Sequence, residues 1–157
     1  MGKLILDSKL DDSFFDRLQE REYRLEQVEV EYGYYGDKTH KGSGLPIGSL
    51  ALIQEYGSVS RNIPARPFVF YSAVLLNDKD ISIMRKAAVD FLFKRKTATV
   101  SFSAVGRMGV RTIQRSIMSQ KFVPLAPSTV SKKGSSTILV ENSELINKAE
   151  WKINEKS

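Results

Sequence analysis

Gln27–Tyr35 reads QVEVEYGYY, and its alternation decides the fold. Val28, Val30, Tyr32 and Tyr34 point one way and Glu29 and Glu31 the other, the two-residue period of a half-buried strand. The apolar side needs a core; the acidic side stays wet. Just before it, Asp11–Gln27 carries Phe14, Phe15, Leu18, Tyr23 and Leu25 near one stripe among charges, with Asp12 or Ser13 able to cap. That pattern predicts an amphipathic helix.

Beyond the strand, Gly36–Gly48, GDKTHKGSGLPIG, is rich in glycine with little to bury, which predicts a mobile loop or a hairpin tip. Ile47–Tyr56 follows as a helix, with Ile47, Leu50, Ala51, Ile53 and Gln54 at near-helical spacing and Gly57 able to cap its end. Pro64 and Pro67 interrupt any helix and bias Ile63 and Arg66 to extended backbone. Phe68–Leu76 is apolar and fits a strand or a helix, with a helix beginning soon after Pro67 the preferred reading.

Asn77 or Asp78 caps a helix to about Lys94, whose inner face is predicted to be Ile81, Met84, Ala88, Phe91 and Leu92. Thr97 or Thr99 opens the next, to about Gln120, with an inner stripe of Phe102, Val105, Gly109, Ile113 and Ile117. Gly106 and Gly109 each weaken that helix by roughly 1 kcal/mol relative to alanine, so they serve close packing or mark a kink. Pro127–Lys132 and Ser143–Lys148 are short helices, and Ala149, Trp151 and Ile153 face one side of a closing strand.

A chain of 157 residues with 41% hydrophobic and 10% aromatic residues builds a real core, which predicts one domain over 1–157. No run approaches the ~18 apolar residues of a membrane span, and the interval from Lys3 to Asp7 is too short for a signal-peptide core. With no cysteine, disulfide and thiolate chemistry are excluded, and a reducing cytoplasm suits its synthesis. The net charge of +6 is unevenly spread. Met1–Ser60 holds 7 Lys/Arg against 11 Asp/Glu, whereas Arg85–Lys133 holds 11 Lys/Arg against the single Asp90.

The lone His40 lacks the Cys or clustered acids that a zinc site needs, and it reads as an exposed loop side chain. The loop also fails the phosphate-loop pattern, since Ser49 follows Gly48 with no lysine between. No nucleophile elbow stands near the histidine, and Glu29 and Glu31 read as solvated acids, so no catalytic residue, metal site or cofactor is expected. Arg107, Arg111 and Arg115 recur every fourth residue and form one ridge on a helix. Three readings of that ridge are open: phosphate binding, a solvated face, or an interface with acids of a neighbouring copy.

Two stretches, Ile53–Val69 and Phe122–Ile153, carry a resemblance. Gln54, Glu55, Tyr56 and Gly57 end a helix; Pro64, Ala65, Arg66, Pro67 and Phe68 follow. Further on come Pro124, Leu125, Ala126, Pro127, Ser128 and Thr129, then the turn Lys133, Gly134 and Ser135. Leu139, Val140, Glu141, Asn142, Ser143 and Leu145 complete the series. In these elements the chain resembles the virion-morphogenesis and tail-completion family of tailed phages. That group includes the Mu-type virion morphogenesis protein and the lambda-type minor tail protein Z. It departs from the family pattern at Gln54, where relatives carry His, and at Glu141-Asn142-Ser143, where they carry Asp-Thr-Gly.

The resemblance implies an α+β fold in which a small antiparallel sheet packs against several helices. It also implies a structural, non-enzymatic virion protein at the head–tail junction. Such a protein forms a homo-oligomeric ring, for instance a hexamer, against neck and tail-tube or terminator proteins, and DNA passes through its lumen without sequence-specific binding. It is assembled in the host cytoplasm, with no membrane partner and no cofactor. The charge split, apart from the resemblance, suggests that the acidic N-terminal half meets the basic Arg85–Lys133 part of the next copy, with Glu29, Glu31, Arg107, Arg111 and Arg115 as candidate interface residues. Arg66, on the stiff Pro-Ala-Arg-Pro backbone, is either buried with an acidic or carbonyl partner or a surface anchor of the ring. The alternative is a basic nucleic-acid-binding protein using the Arg107/Arg111/Arg115 ridge.

Overall fold

The structure, a computed structural model, describes residues 12–36, 38–94, 96–134, 136–139 and 144–156. Among the described residues, seven helices and a two-stranded antiparallel sheet make an α+β fold. The elements run α1 (Asp12–Glu26), β1 (Val28–Gly33), α2 (Ile47–Tyr56), a 3-10 turn (Val59–Arg61), α3 (Phe68–Val74), α4 (Asp78–Phe93), α5 (Ala98–Met118), α6 (Pro127–Lys133), α7 (Glu144–Asn147) and β2 (Glu150–Glu155). None of the described helices is long and apolar enough to cross a membrane.

The sheet forms between the most distant segments. β1 pairs with β2 in the register Val30↔Ile153 and Tyr32↔Trp151, so the alternating apolar residues of both strands fall on one face. That face rests on α5, which also packs against α3, α4 and α7. Gly106 and Gly109 are what let the sheet come so close. A Cβ at Gly106 would overlap the Trp151 ring, and one at Gly109 would overlap the Tyr32 ring. Close packing, not a kink, is their purpose: α5 runs unbroken through both.

The two halves of α5 seat two core clusters. Ala98, Phe102, Val105 and Met108 meet Ala87 and Phe91 of α4, while Ile113 and Ile117 meet Ile47, Phe68 and Leu145. Thr97 caps α5 through Val100 N–H, and Asn77 caps α4 in a reciprocal box with Asp80. Asn142 and Ser143, either of which is placed by the sequence to cap α7, lie outside the described residues.

α4 corrects one expectation. Its predicted inner face is turned by about one residue: Asp80, Ala87, Asp90 and Phe91 are buried, whereas Ile81 and Met84 are 46% and 44% exposed. The physical reason is charge. Asp80 meets Arg115 at 2.6 Å, and Asp90 meets Lys94 at 2.7 Å and Lys96 at 2.8 Å. These pairs draw two acids inward, and the apolar stripe between them is left outside.

Candidate functional site

The stretches that carry the family resemblance come together in space around one arginine. At the end of α2 the Glu55 carboxylate accepts the N–H groups of Val69 (2.8 Å) and Phe70 (3.0 Å), the open donors at the start of α3. Beside it, Gln54 accepts the Arg66 backbone N–H at 2.7 Å through its carbonyl and the Arg66 Nη1 at 2.9 Å through its Oε1. Between them Gly57 sits at φ 76°, where a Cβ would fall 2.7 Å from both Ala65 N and Ile63 O, so the elbow accepts only glycine. Thus the two motifs are halves of one joint. The Pro124–Thr129 segment closes the third side: the Val123 carbonyl faces Arg66 Nε at 3.4 Å, and Leu125, Ala126 and Thr129 line the gap. What remains is a cleft of about 270 Å³ with Arg66 in its wall.

Arg66 is therefore not a surface anchor. Only 5% of it is exposed, and its partners are an amide and a carbonyl oxygen instead of an acid. Desolvation holds its guanidinium pKa below the ordinary value.

His40 is a second correction. Expected to be exposed, it is 92% buried. Its Nδ1 accepts the Ser43 N–H at 3.0 Å, which places the ring proton on Nε2, facing Glu144 Oε2 at 3.6 Å. Glu144 also accepts the Lys41 N–H at 3.2 Å. A local turn and α7 are joined through the imidazole, a contact between distant parts of the chain that local patterning misses. Ser43 Oγ lies 3.0 Å from the same Nδ1. Because the nitrogen's one in-plane lone pair already accepts an N–H, it has none left to take the hydroxyl proton. Ser43, His40 and Glu144 form a brace, not a nucleophile relay.

The arginine ridge is unequal. Arg107 and Arg111 are exposed and border a shallow groove with Glu150 and Trp151, while Arg115 is held intramolecularly by Asp80. Burial alone would raise the Asp80 pKa, but the bonds from Arg115 and the Asn77 N–H hold it below its usual range. Glu31 and Glu29 likewise have partners on β2 and just beyond it, with Lys152 at 3.1 Å and Lys156 at 3.6 Å. The residues expected to meet across subunits are, apart from Arg107 and Arg111, buried or already paired within one chain.

Asp90 yields a pH prediction. Its bonds to Lys94 and then Lys96 outweigh desolvation and drive its pKa from 3.8 to about 2. A depressed folded-state value means stabilisation that is complete above 3.8 and fades as pH falls towards 2. Asp90→Asn is expected to melt below the wild type at pH 7, and the gap should narrow steadily between those two pH values. A gap that stays constant on acidification is the contrary result.

The described surface also holds an apolar ridge that no described residue covers. Along α4, Ile81 and Met84 lie outward with Arg85 between the same turns, and Phe93 is 55% exposed at the helix end. Across α1, Asp16, Glu20, Glu22 and Glu26 are exposed together with Phe15 and Tyr23. Among the described residues no group of three His, Cys, Asp or Glu side chains is placed to hold a metal ion. Comparison with protein-family models, curated proteins and solved structures found no match to the chain.

Proposed function

We propose that the protein is a structural subunit of the tailed-phage head–tail junction, assembling as a homo-oligomeric ring that completes the tail and joins it to the head. The observation that carries the assembly is the outward stripe of α4. A helix with apolar residues at three- and four-residue spacing is built to be covered, and the described residues leave Ile81 and Met84 46% and 44% exposed. The occupant best matched in charge is a second copy. The acidic, aromatic outer face of α1 complements the basic, apolar outer face of α4, with Arg85 and Lys86 beside Ile81 and Met84. Because the two faces differ, the contact is heterologous and closes into a ring when the rotation permits. The site in the virion rests on the resemblance of the motifs gathered around Arg66.

Two measurements test this. Electron microscopy of the purified protein should show closed rings, and particles lacking it should leave tails and filled heads apart. Met84→Glu should yield monomers with an unchanged circular dichroism spectrum, since the side chain is 44% exposed and belongs to neither core cluster. A wild type that stays monomeric at high concentration, or Met84→Glu rings identical to the wild type, would overturn the assembly.

The nucleic-acid alternative has lost a member of its ridge, because Arg115 is engaged by Asp80. With Arg107 and Arg111 the free pair, each phosphate contact adds about −0.9 to the salt slope, so gel-shift titration should give a slope no steeper than about −2. A slope of −5 or beyond (on the order of six phosphates) would favour that alternative.

A further inference from the structure

Arg66 carries more charge than its surroundings answer. A guanidinium offers five N–H donors and cannot shed its proton at ordinary pH. Two of these donors are engaged, by Gln54 Oε1 at 2.9 Å and weakly by the Val123 carbonyl at 3.4 Å. Among the described residues no carboxylate forms an ion pair with it. Burying a cation without a counter-charge is costly, and structures that retain one commonly supply an anion.

The nearby acids among the described residues are committed elsewhere. Glu55 caps α3, and Glu144 answers His40 and Lys148. Meanwhile the guanidinium borders an open cleft of about 270 Å³, with Asn62 and Thr129 as neutral polar groups on its rim and Leu50, Ile63 and Leu125 as apolar wall. The cleft thus sets a buried cationic fork in a wall shared by apolar side chains and the neutral polar groups of Gln54, Asn62 and Thr129, with His40 also in the lining.

We propose that the Arg66 cleft is a receiving site for a carboxylate borne on a short apolar stem, such as a glutamate side chain of a partner polypeptide. The planar fork matches a carboxylate with two parallel hydrogen bonds. One cation suits one negative charge, whereas a phosphate with two would be left half-neutralised against apolar walls. The joint holds the fork in place beforehand, because Gln54 fixes both the Arg66 backbone and its Nη1. This site does not depend on the ring: it is a property of one subunit.

The test uses the full chain labelled with ¹⁵N, following the Arg66 Nε–Hε signal by NMR while butyrate or its neutral isostere butyramide is added. Butyrate is expected to move that signal saturably, with a Kd on the order of 1–10 mM, and butyramide to leave it in place. Equal shifts from both, no saturable shift, or tighter binding of inorganic phosphate would overturn the proposal. N-acetyl-Leu-Glu-amide against N-acetyl-Leu-Gln-amide then separates the sources. A glutamyl peptide about tenfold or more tighter than butyrate assigns the ligand to a polypeptide (~1.4 kcal/mol); equal affinity assigns it to a free small acid. Butyrate should also raise the melting temperature of the wild type and not of Arg66→Gln. Where Arg66→Gln does not fold, the butyrate and butyramide pair decides alone.

Discussion

Alanine at both Gly106 and Gly109 is expected to lower the unfolding free energy by about 2–4 kcal/mol, although alanine is the better helix former by about 1 kcal/mol at each position. Helix propensity predicts stabilisation here; packing predicts the reverse. Each new methyl would enter the space of an aromatic ring, Trp151 for one and Tyr32 for the other. Those rings are directly paired across the sheet, so neither moves without its partner. Relief requires the whole sheet to lift from α5, and overlaps this deep place the cost at the upper end of overfilling, ~2–3 kcal/mol per site, above the propensity gain. Thermal melting should record a drop of about 4–16 °C for the double variant at this chain length. A double variant as stable as the wild type would mean that the sheet rides loosely on α5.

Glu55→Gln should cost about 2–4 kcal/mol, from one substitution that hardly alters shape. The buried carboxylate accepts two N–H groups at the opening of α3, and the amide can offer one oxygen for them while its NH₂ is set against a donor. Loss of this cap frees the elbow between α2 and α3, which also places Arg66. Chemical denaturation gives the magnitude, and Glu55→Asp supplies the contrast: charge is kept and reach is lost. If Glu55→Gln matches the wild type within about 0.5 kcal/mol, the cap carries no weight in the fold.

Much of the architecture was written in local pattern. β1 announced itself because valine and glutamate alternate without a fault, and α5 because five of its inner residues keep helical spacing. Thr97 and Asn77 each stood where a cap belonged. The face of α4 misled because two aspartates occupy inward positions; Lys94 is a local i,i+4 partner of Asp90, but Arg115 and Lys96 reach the aspartates only once α5 and the α4–α5 turn are in place. His40 was misjudged for a related reason: its counterpart Glu144 comes from the other end of the chain. The strings around Gln54–Gly57, Pro64–Phe68 and Pro124–Thr129 were plain as separate words. That they are three sides of one cleft is a matter of chain reversal at Gly57, which spacing alone does not reveal.

The pairing of β1 with β2 has a kinetic consequence. Val28 finds its partner at Glu155, so a ribosome that has finished β1 must add more than a hundred residues before β2 exists. At about 5–20 residues per second the earlier strand waits roughly 6–25 s with its hydrogen-bonding edge unclaimed. An apolar strand left waiting invites pairing between nascent chains on one polysome. Glu29 and Glu31 repel such encounters, since like strands side by side would bring carboxylates together. Their later bonds to Lys156 and Lys152 discharge that repulsion when the rightful neighbour arrives.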